Sequence, residues 1–65
     1  MNLIADMQQE MNRCRELLAE YEKIGPSGAF GAAVIKNSIK RGEAAIASGD
    51  INRVLAAYED LKKRE

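Results

Sequence analysis

The chain has 65 residues, of which 46% are hydrophobic and 31% charged, and its ten basic and ten acidic side chains give a formal net charge of zero. Zero net charge argues against nucleic acid as a partner, because neutralising phosphates requires a basic excess. One cysteine and no histidine exclude an internal disulfide and leave a zinc site almost without ligands. A chain this short builds a small core, so we expect helix packing or association with another chain to stabilise it.

No apolar stretch approaches the roughly 20 residues that span a bilayer. The first residues, MNLIADMQQE, lack the apolar run of a signal peptide. We therefore expect a cytoplasmic protein without membrane association, and in that compartment a single reduced cysteine is ordinary.

The first segment predicts a long amphipathic helix over about residues 2–24. Its apolar side chains recur at spacings of three and four, which is a heptad seam, and Leu3, Leu17 and Ile24 widen that seam along one flank. The seam consists of Ile4, Met7, Met11, Cys14, Leu18 and Tyr21. The opposite side of the helix is polar and includes Arg13.

Gly25 and Pro26 predict the end of this helix, since glycine suits the left-handed residue after a helix and proline cannot continue one. Ser27 is the predicted N-cap of a second helix over about residues 28–48. The apolar positions of the second helix are Ala32, Ile35, Ile39, Gly42 and Ile46. Phe30 lies beside them and is either part of the small core or an anchor for another chain.

Gly49 and Asp50 mark the next boundary, where Gly49 ends the second helix and Asp50 caps a third helix over about residues 51–64. The predicted buried positions of the third helix are Ile51, Val54, Leu55, Tyr58 and Leu61. Asp60 and Arg64 stand four apart, in the acid-before-base order that supports a helix surface. The sequence shows no strand-like alternation, so we predict a single all-α domain of three helices with antiparallel neighbours.

The first helix is longer than the third by about 13 Å at 1.5 Å per residue, so part of its apolar stripe lacks cover within one chain. We therefore expect a homodimer or higher oligomer and a contact with another protein. The predicted partner-binding residues are Leu3, Met7, Met11, Phe30 and Val34. An enzyme is not expected, because so small a helical chain has little room for a concave, partly buried catalytic site. No cofactor is predicted.

The alternative hypothesis is a protein that binds a small anion such as a nucleotide. Gly25, Gly28 and Gly31 are evenly spaced in GPSGAFG, and a helix N-terminus offers free amides to an anion. The predicted site, at this helix end or at a subunit boundary, consists of Ser27, Gly28, Lys36, Lys40 and Arg41. However, no Walker ending follows the glycines and no strand precedes them. We favour a helix stop, a helix start and small residues that let a neighbouring backbone approach.

The run IGPSGAFGAAVIKNSIKRGEAAIASGD, followed by YEDLKK, resembles small helical proteins encoded by phages and prophages. That group has no agreed activity, but many very small phage proteins bind and block a host protein or sequester a small signal. The resemblance therefore implies an accessory or inhibitory role. The stretch GEAAIASGDINRVLAAYEDL is also similar to a tetratricopeptide helix hairpin, although one hairpin without a repeat period is not such an array.

Overall fold

A computed structural model of the chain describes residues 2–65. Within this range the elements are helix α1 (Leu3–Lys23), a 3₁₀ turn (Gly25–Gly28), helix α2 (Ala29–Ser48) and helix α3 (Ile51–Lys62). Residues 2–65 contain no strand, so the predicted all-α fold of three helices is confirmed. In the same range no helix is both long enough and apolar enough to cross a membrane.

The ends of the helices follow local signals in the sequence. Asn2 caps α1 and Asp50 caps α3, each by accepting a hydrogen bond from an amide in the first turn. Gly25 and Gly49 have φ angles of 82° and 72°, a left-handed conformation that glycine adopts without strain. The predicted stops at both glycines and the predicted cap at Asp50 are confirmed.

The predicted N-cap of α2 at Ser27 is wrong. Ser27 lies inside the 3₁₀ turn, and α2 is preceded by Gly28, which has no side chain to cap it. The Ala29 amide bonds instead to the Pro26 carbonyl, so the turn leads directly into the helix. The cause is tertiary packing, because Gly28 lies so close to Tyr21 that a Cβ would overlap the Tyr21 carbonyl oxygen.

The core lies where the three helices meet. A Cβ placed on Gly42 of α2 would stand 3.2 Å from the Met11 sulfur of α1 and 3.4 Å from Leu61 Cδ1 of α3. This small residue therefore lets all three helices approach one another closely. The buried apolar residues are Met7, Met11, Cys14, Ile35, Ile39, Ala45, Val54, Ala57 and Leu61.

Contacts between the helices fix their directions. Met11 in the first half of α1 lies beside Gly42 of α2, whereas Tyr21 near the end of α1 lies against Gly31 at the start of α2. These two pairs make α1 and α2 antiparallel. The short connection at residues 49–50 turns α3 back along α2, so α3 runs in the same direction as α1.

Four apolar residues that the periodicity assigned to buried stripes are exposed, and those predictions are wrong. These residues are Ile4, Ile24, Ile51 and Leu55. Ile4 and Ile51 lie in the first turns of α1 and α3, and Ile24 directly follows α1. In α3 the buried stripe runs instead through Val54, Ala57 and Leu61, which leaves Leu55 to one side of it.

Candidate protein-binding site

Helix α3 covers only part of the layer that α1 and α2 form. The last turn of α3 lies opposite Gly42, and Asp60 of that turn is 3.7 Å from the Arg41 guanidinium of α2. From Arg41 back to Ala29, α2 extends about 18 Å further at 1.5 Å per residue. Asp60 also lies close to the Ser38 hydroxyl of α2, so the part of α2 without α3 beside it runs from about residue 37 back to Ala29, because α3 ends at Lys62.

The segment that follows α3 is held against α1 by two side chains. The Arg13 guanidinium donates hydrogen bonds of 2.9 Å to the carbonyl oxygens of Leu61 and Arg64. The Tyr21 hydroxyl donates to the main-chain oxygen of Glu65. Arg13 thereby satisfies carbonyls at the end of α3 and places a positive charge at the negative end of the helix dipole.

A concavity with apolar walls on α1 and α2 and charged residues on its third side lies beyond the end of α3, and we refer to it as the notch. Its volume is about 350 Å³. The notch is lined by Tyr21, Phe30, Gly31, Val34 and Ile35 of the two helices and by residues 63–65. Phe30 forms one wall, yet 82% of this residue is exposed, which makes it the most exposed large apolar residue within residues 2–65. Phe30 is therefore not part of the core.

Two glycines allow the close packing behind the notch. A Cβ on Gly31 would overlap the ring of Tyr21, and a Cβ on Gly28 would overlap the Tyr21 main chain. Glycine at both positions therefore lets the end of α1 lie directly against the start of α2. The interpretation of the glycines as positions where a neighbouring backbone approaches is confirmed for Gly28, whereas at Gly31 the close neighbour is the Tyr21 ring.

The sequence around the notch is free of charge over a long stretch. Residues 24–35 include no acidic or basic side chain, although charged residues make up 31% of the whole chain. Charges stand at both ends of the stretch, at Lys23 and Lys36. Depletion of charge in the centre with charge at the rim is typical of protein–protein interfaces.

The predicted partner-binding residues fall into three places. The structure brings Phe30 and Val34 together in the notch. Leu3 is partly buried and packs on the core near the start of α1. Met7 and Met11 have exposures of 0% and 1%. The chain's own helices cover these two methionines, so their assignment to a partner surface is corrected to the core.

The residues of the predicted anion site are not gathered within one chain. Gly28 and Arg41 are about 20 Å apart along the α2 axis at 1.5 Å per residue. Lys36 lies 3.9 Å from the Glu22 carboxylate, and Arg41 lies 3.7 Å from the Asp60 carboxylate. Those carboxylates offset the positive charge that an anion would require.

The other residues of that site also stand apart from one another. Ser27 is exposed in the 3₁₀ turn and Lys40 is exposed in the middle of α2. Anion binding at a boundary between two subunits stays a prediction.

A second, smaller cleft of about 240 Å³ lies between α2 and α3, with a floor of alanines flanked by Arg41 and Arg53. Asp60 stands at one side of it. Burial raises the pKa of this carboxyl, but the Ser38 hydroxyl, the Arg64 guanidinium at 3.0 Å and the Arg41 guanidinium offset that effect and hold the pKa below its usual value. The ion pair between Asp60 and Arg41 links α3 to α2. Within residues 2–65, the Asp60 Oδ2 atom is buried without a hydrogen-bond partner.

Cys14 belongs to the core. Its thiol donates a hydrogen bond of 3.6 Å to the Leu61 carbonyl, and burial raises the pKa of this thiol above its usual value. A raised pKa disfavours the reactive thiolate at neutral pH. In the described part of the chain, no three cysteine, aspartate or glutamate side chains come together in a way that could hold a metal ion.

The fold and the notch define a small three-helix protein with one apolar, partly open end. Comparisons of the chain with protein-family models, with curated proteins and with solved structures find no match. The function is therefore inferred from the chain's own residues.

Proposed function

We propose that this chain is a non-catalytic helical protein that acts by self-association and by contact with another protein, through Phe30 and the notch beside it. The observation that carries the proposal is the position of Phe30, 82% exposed on the part of α2 that α3 leaves uncovered. Complete burial of such a side chain is favourable by about 1.5–3 kcal/mol. Aromatic side chains seated in pockets are also the usual anchors of protein interfaces.

The electrostatics of the chain support contact rather than catalysis. Enzymes gather groups with displaced pKa values in the cleft where they act. In the part of the chain that the structure describes, a displaced pKa is found for Cys14 in the core and for Asp60, which lines the cleft between α2 and α3 and is paired there with Arg41 and Arg64. Neither residue lines the notch.

The accessory or inhibitory role implied by the resemblance to phage-encoded proteins is part of the same proposal. A small protein without a catalytic centre acts on a host process by occupying a surface of another protein. The notch offers a concave apolar surface suited to such a contact.

Sedimentation velocity from micromolar to millimolar concentration tests the proposal. We expect the sedimentation coefficient of the wild-type chain to rise with concentration and that of Phe30→Ala to stay at the monomer value. Leu55→Ala is the matched control and should behave as wild type, because Leu55 is a large exposed apolar residue of α3 that does not line the notch. A wild-type monomer at every concentration would contradict self-association.

A further inference from the structure

We infer that the notch of one chain receives the Phe30 ring of a second copy, in a two-fold symmetric contact in which each copy supplies one ring and one notch. The inference rests on the proposed self-association and adds the geometry of the contact. In such a dimer the second copy takes the place beside α1 and α2 that α3 leaves uncovered.

The shape of this surface is self-complementary. Phe30 is a wall of the notch and at the same time projects into solvent, so a ring and a hole lie side by side on one surface. A two-fold contact uses the same patch on both copies, which means that the ring of each copy meets the notch of the other. A head-to-tail contact would leave one ring and one notch unused and would continue into a closed ring or a filament.

The notch is large enough for an aromatic ring. An apolar cavity of about 150 Å³ holds benzene, and the notch measures about 350 Å³. The ring of the second copy would lie among Tyr21, Val34 and Ile35, which are an aromatic and two aliphatic side chains. An aromatic ring packs favourably against both kinds of side chain.

The charges around the notch suit a second copy of the same chain. Residues 24–35 are uncharged, so bringing two of these stretches together buries no unpaired charge from them. The segment after α3 brings both signs to the notch, with Lys63, Arg64 and Glu65 among its lining residues, and Arg64 is paired with Asp60 of its own chain. Because the net charge of the chain is zero, two copies approach without overall repulsion.

Two substitutions separate a ring-in-notch contact from a general apolar association. Phe30→Ala removes the ring, and we expect it to weaken dimerisation by at least about 30-fold, the loss typical of an interface hot spot. Val34→Trp enlarges the apolar surface but fills the notch, and we expect it to weaken dimerisation by a similar factor. Leu55→Ala should leave the dissociation constant within about 3-fold of wild type, since surface changes away from a contact have small effects.

Sedimentation equilibrium gives the dissociation constants, and circular dichroism confirms that each variant keeps the helical content of wild type. Tighter dimerisation of Val34→Trp would overturn the ring-in-notch geometry and leave the proposed self-association standing. A wild-type chain that is monomeric at millimolar concentration would overturn the proposed self-association as well.

Isotope-filtered nuclear Overhauser spectroscopy on a mixture of labelled and unlabelled chains tests the same geometry without a substitution. We expect contacts between copies from the Phe30 ring to the Val34 methyl groups and to the Tyr21 ring. Contacts between copies that involve Leu55 or Ile51, with none from Phe30, would overturn the inference.

Discussion

The two ends of this bundle are built from the same two helices but differ in what covers them. At one end α3 closes the groove between α1 and α2, and Met11, Gly42 and Leu61 lie in mutual contact. At the other end Tyr21 of α1 lies directly against Gly31 of α2, and Phe30 remains exposed. Helix α3 has 12 residues, whereas α1 has 21 and α2 has 20.

The two ends of the bundle contribute to different properties of the chain, the covered end to stability and the notch end to association. Burial of apolar surface drives folding, and the covered end holds most of the fully buried side chains. The notch end contributes less to the core and keeps apolar surface in contact with water. We therefore expect substitutions at the covered end to change the free energy of unfolding, and substitutions at the notch to change association.

The largest contrast is expected between Leu61→Ala and Phe30→Ala. Leu61 is fully buried, so its truncation should lower the free energy of unfolding by about 2–5 kcal/mol. Phe30 is exposed, and its truncation should change that free energy by no more than about 0.5 kcal/mol in a dilute, monomeric sample. Urea denaturation followed by circular dichroism measures both values, and equal losses would remove the distinction between the two ends.

The next effect concerns the two glycines behind the notch. Gly28→Ala should destabilise the fold by about 1–3 kcal/mol, because the new Cβ meets the Tyr21 main chain, which cannot rotate away. Gly31→Ala should lower the free energy of unfolding by less, since its Cβ meets the partly exposed Tyr21 ring. Alanine also improves the helix propensity of α2 by up to about 1 kcal/mol. Thermal unfolding of the two variants decides the order, and a larger loss for Gly31→Ala would show that the ring is the more rigid neighbour.

Arg13 links the two ends, because it fixes the segment that leads from α3 to the notch. Arg13→Lys loses the planar group that bonds two carbonyl oxygens at once, and we expect a loss of about 1–2 kcal/mol in the free energy of unfolding. Arg15→Lys is the matched control and should have almost no effect, since Arg15 is exposed and its side chain bonds Asn12 of the same helix. If urea denaturation gave the two variants the same free energy of unfolding, the contact of Arg13 with α3 would not stabilise the fold.

The smallest expected effect is the pH dependence of the Asp60 contacts. The pKa of Asp60 is lowered in the folded chain from its usual value of 3.8. Its contribution to stability is therefore fully present above that value and is lost as the pH falls through the lower, folded pKa. We expect the free energy of unfolding of wild type to exceed that of Asp60→Asn by no more than about 1 kcal/mol near neutral pH. The difference should disappear in strong acid, and a gap that stays constant with pH would argue against a charged role for this carboxylate.

Local signals in the sequence predicted both helix stops and much of the covered end. The helix stops at Gly25 and Gly49 and the cap at Asp50 depend on single residues and their neighbours, which the sequence displays directly. The heptad seam likewise placed Met11 on the apolar side of the first helix, and the periodicity of the third helix predicted that Leu61 is buried. Ala45 and Ala57 were missed, because small residues carry a weak hydrophobic signal even where helices approach closely.

The notch end depended on tertiary contacts that the sequence does not display. The predicted cap at Ser27 failed because Gly28 packs on the Tyr21 main chain and shapes the turn. Arg13 was assigned to the polar side of α1, yet its long side chain reaches the carbonyl oxygens of α3. The exposure of Phe30 depends on where α3 ends beside α2, which only the packed structure determines.

The concentration dependence of backbone amide chemical shifts tests most directly the claim that the notch is the contact surface. On dilution of the labelled chain from millimolar to micromolar concentration, we expect shifts to change for residues 28–37, for Tyr21 and for residues 63–65. Amides around Leu55 should stay constant. Shifts that are independent of concentration throughout the chain, or changes that centre on Leu55, would contradict the assignment of function to the notch.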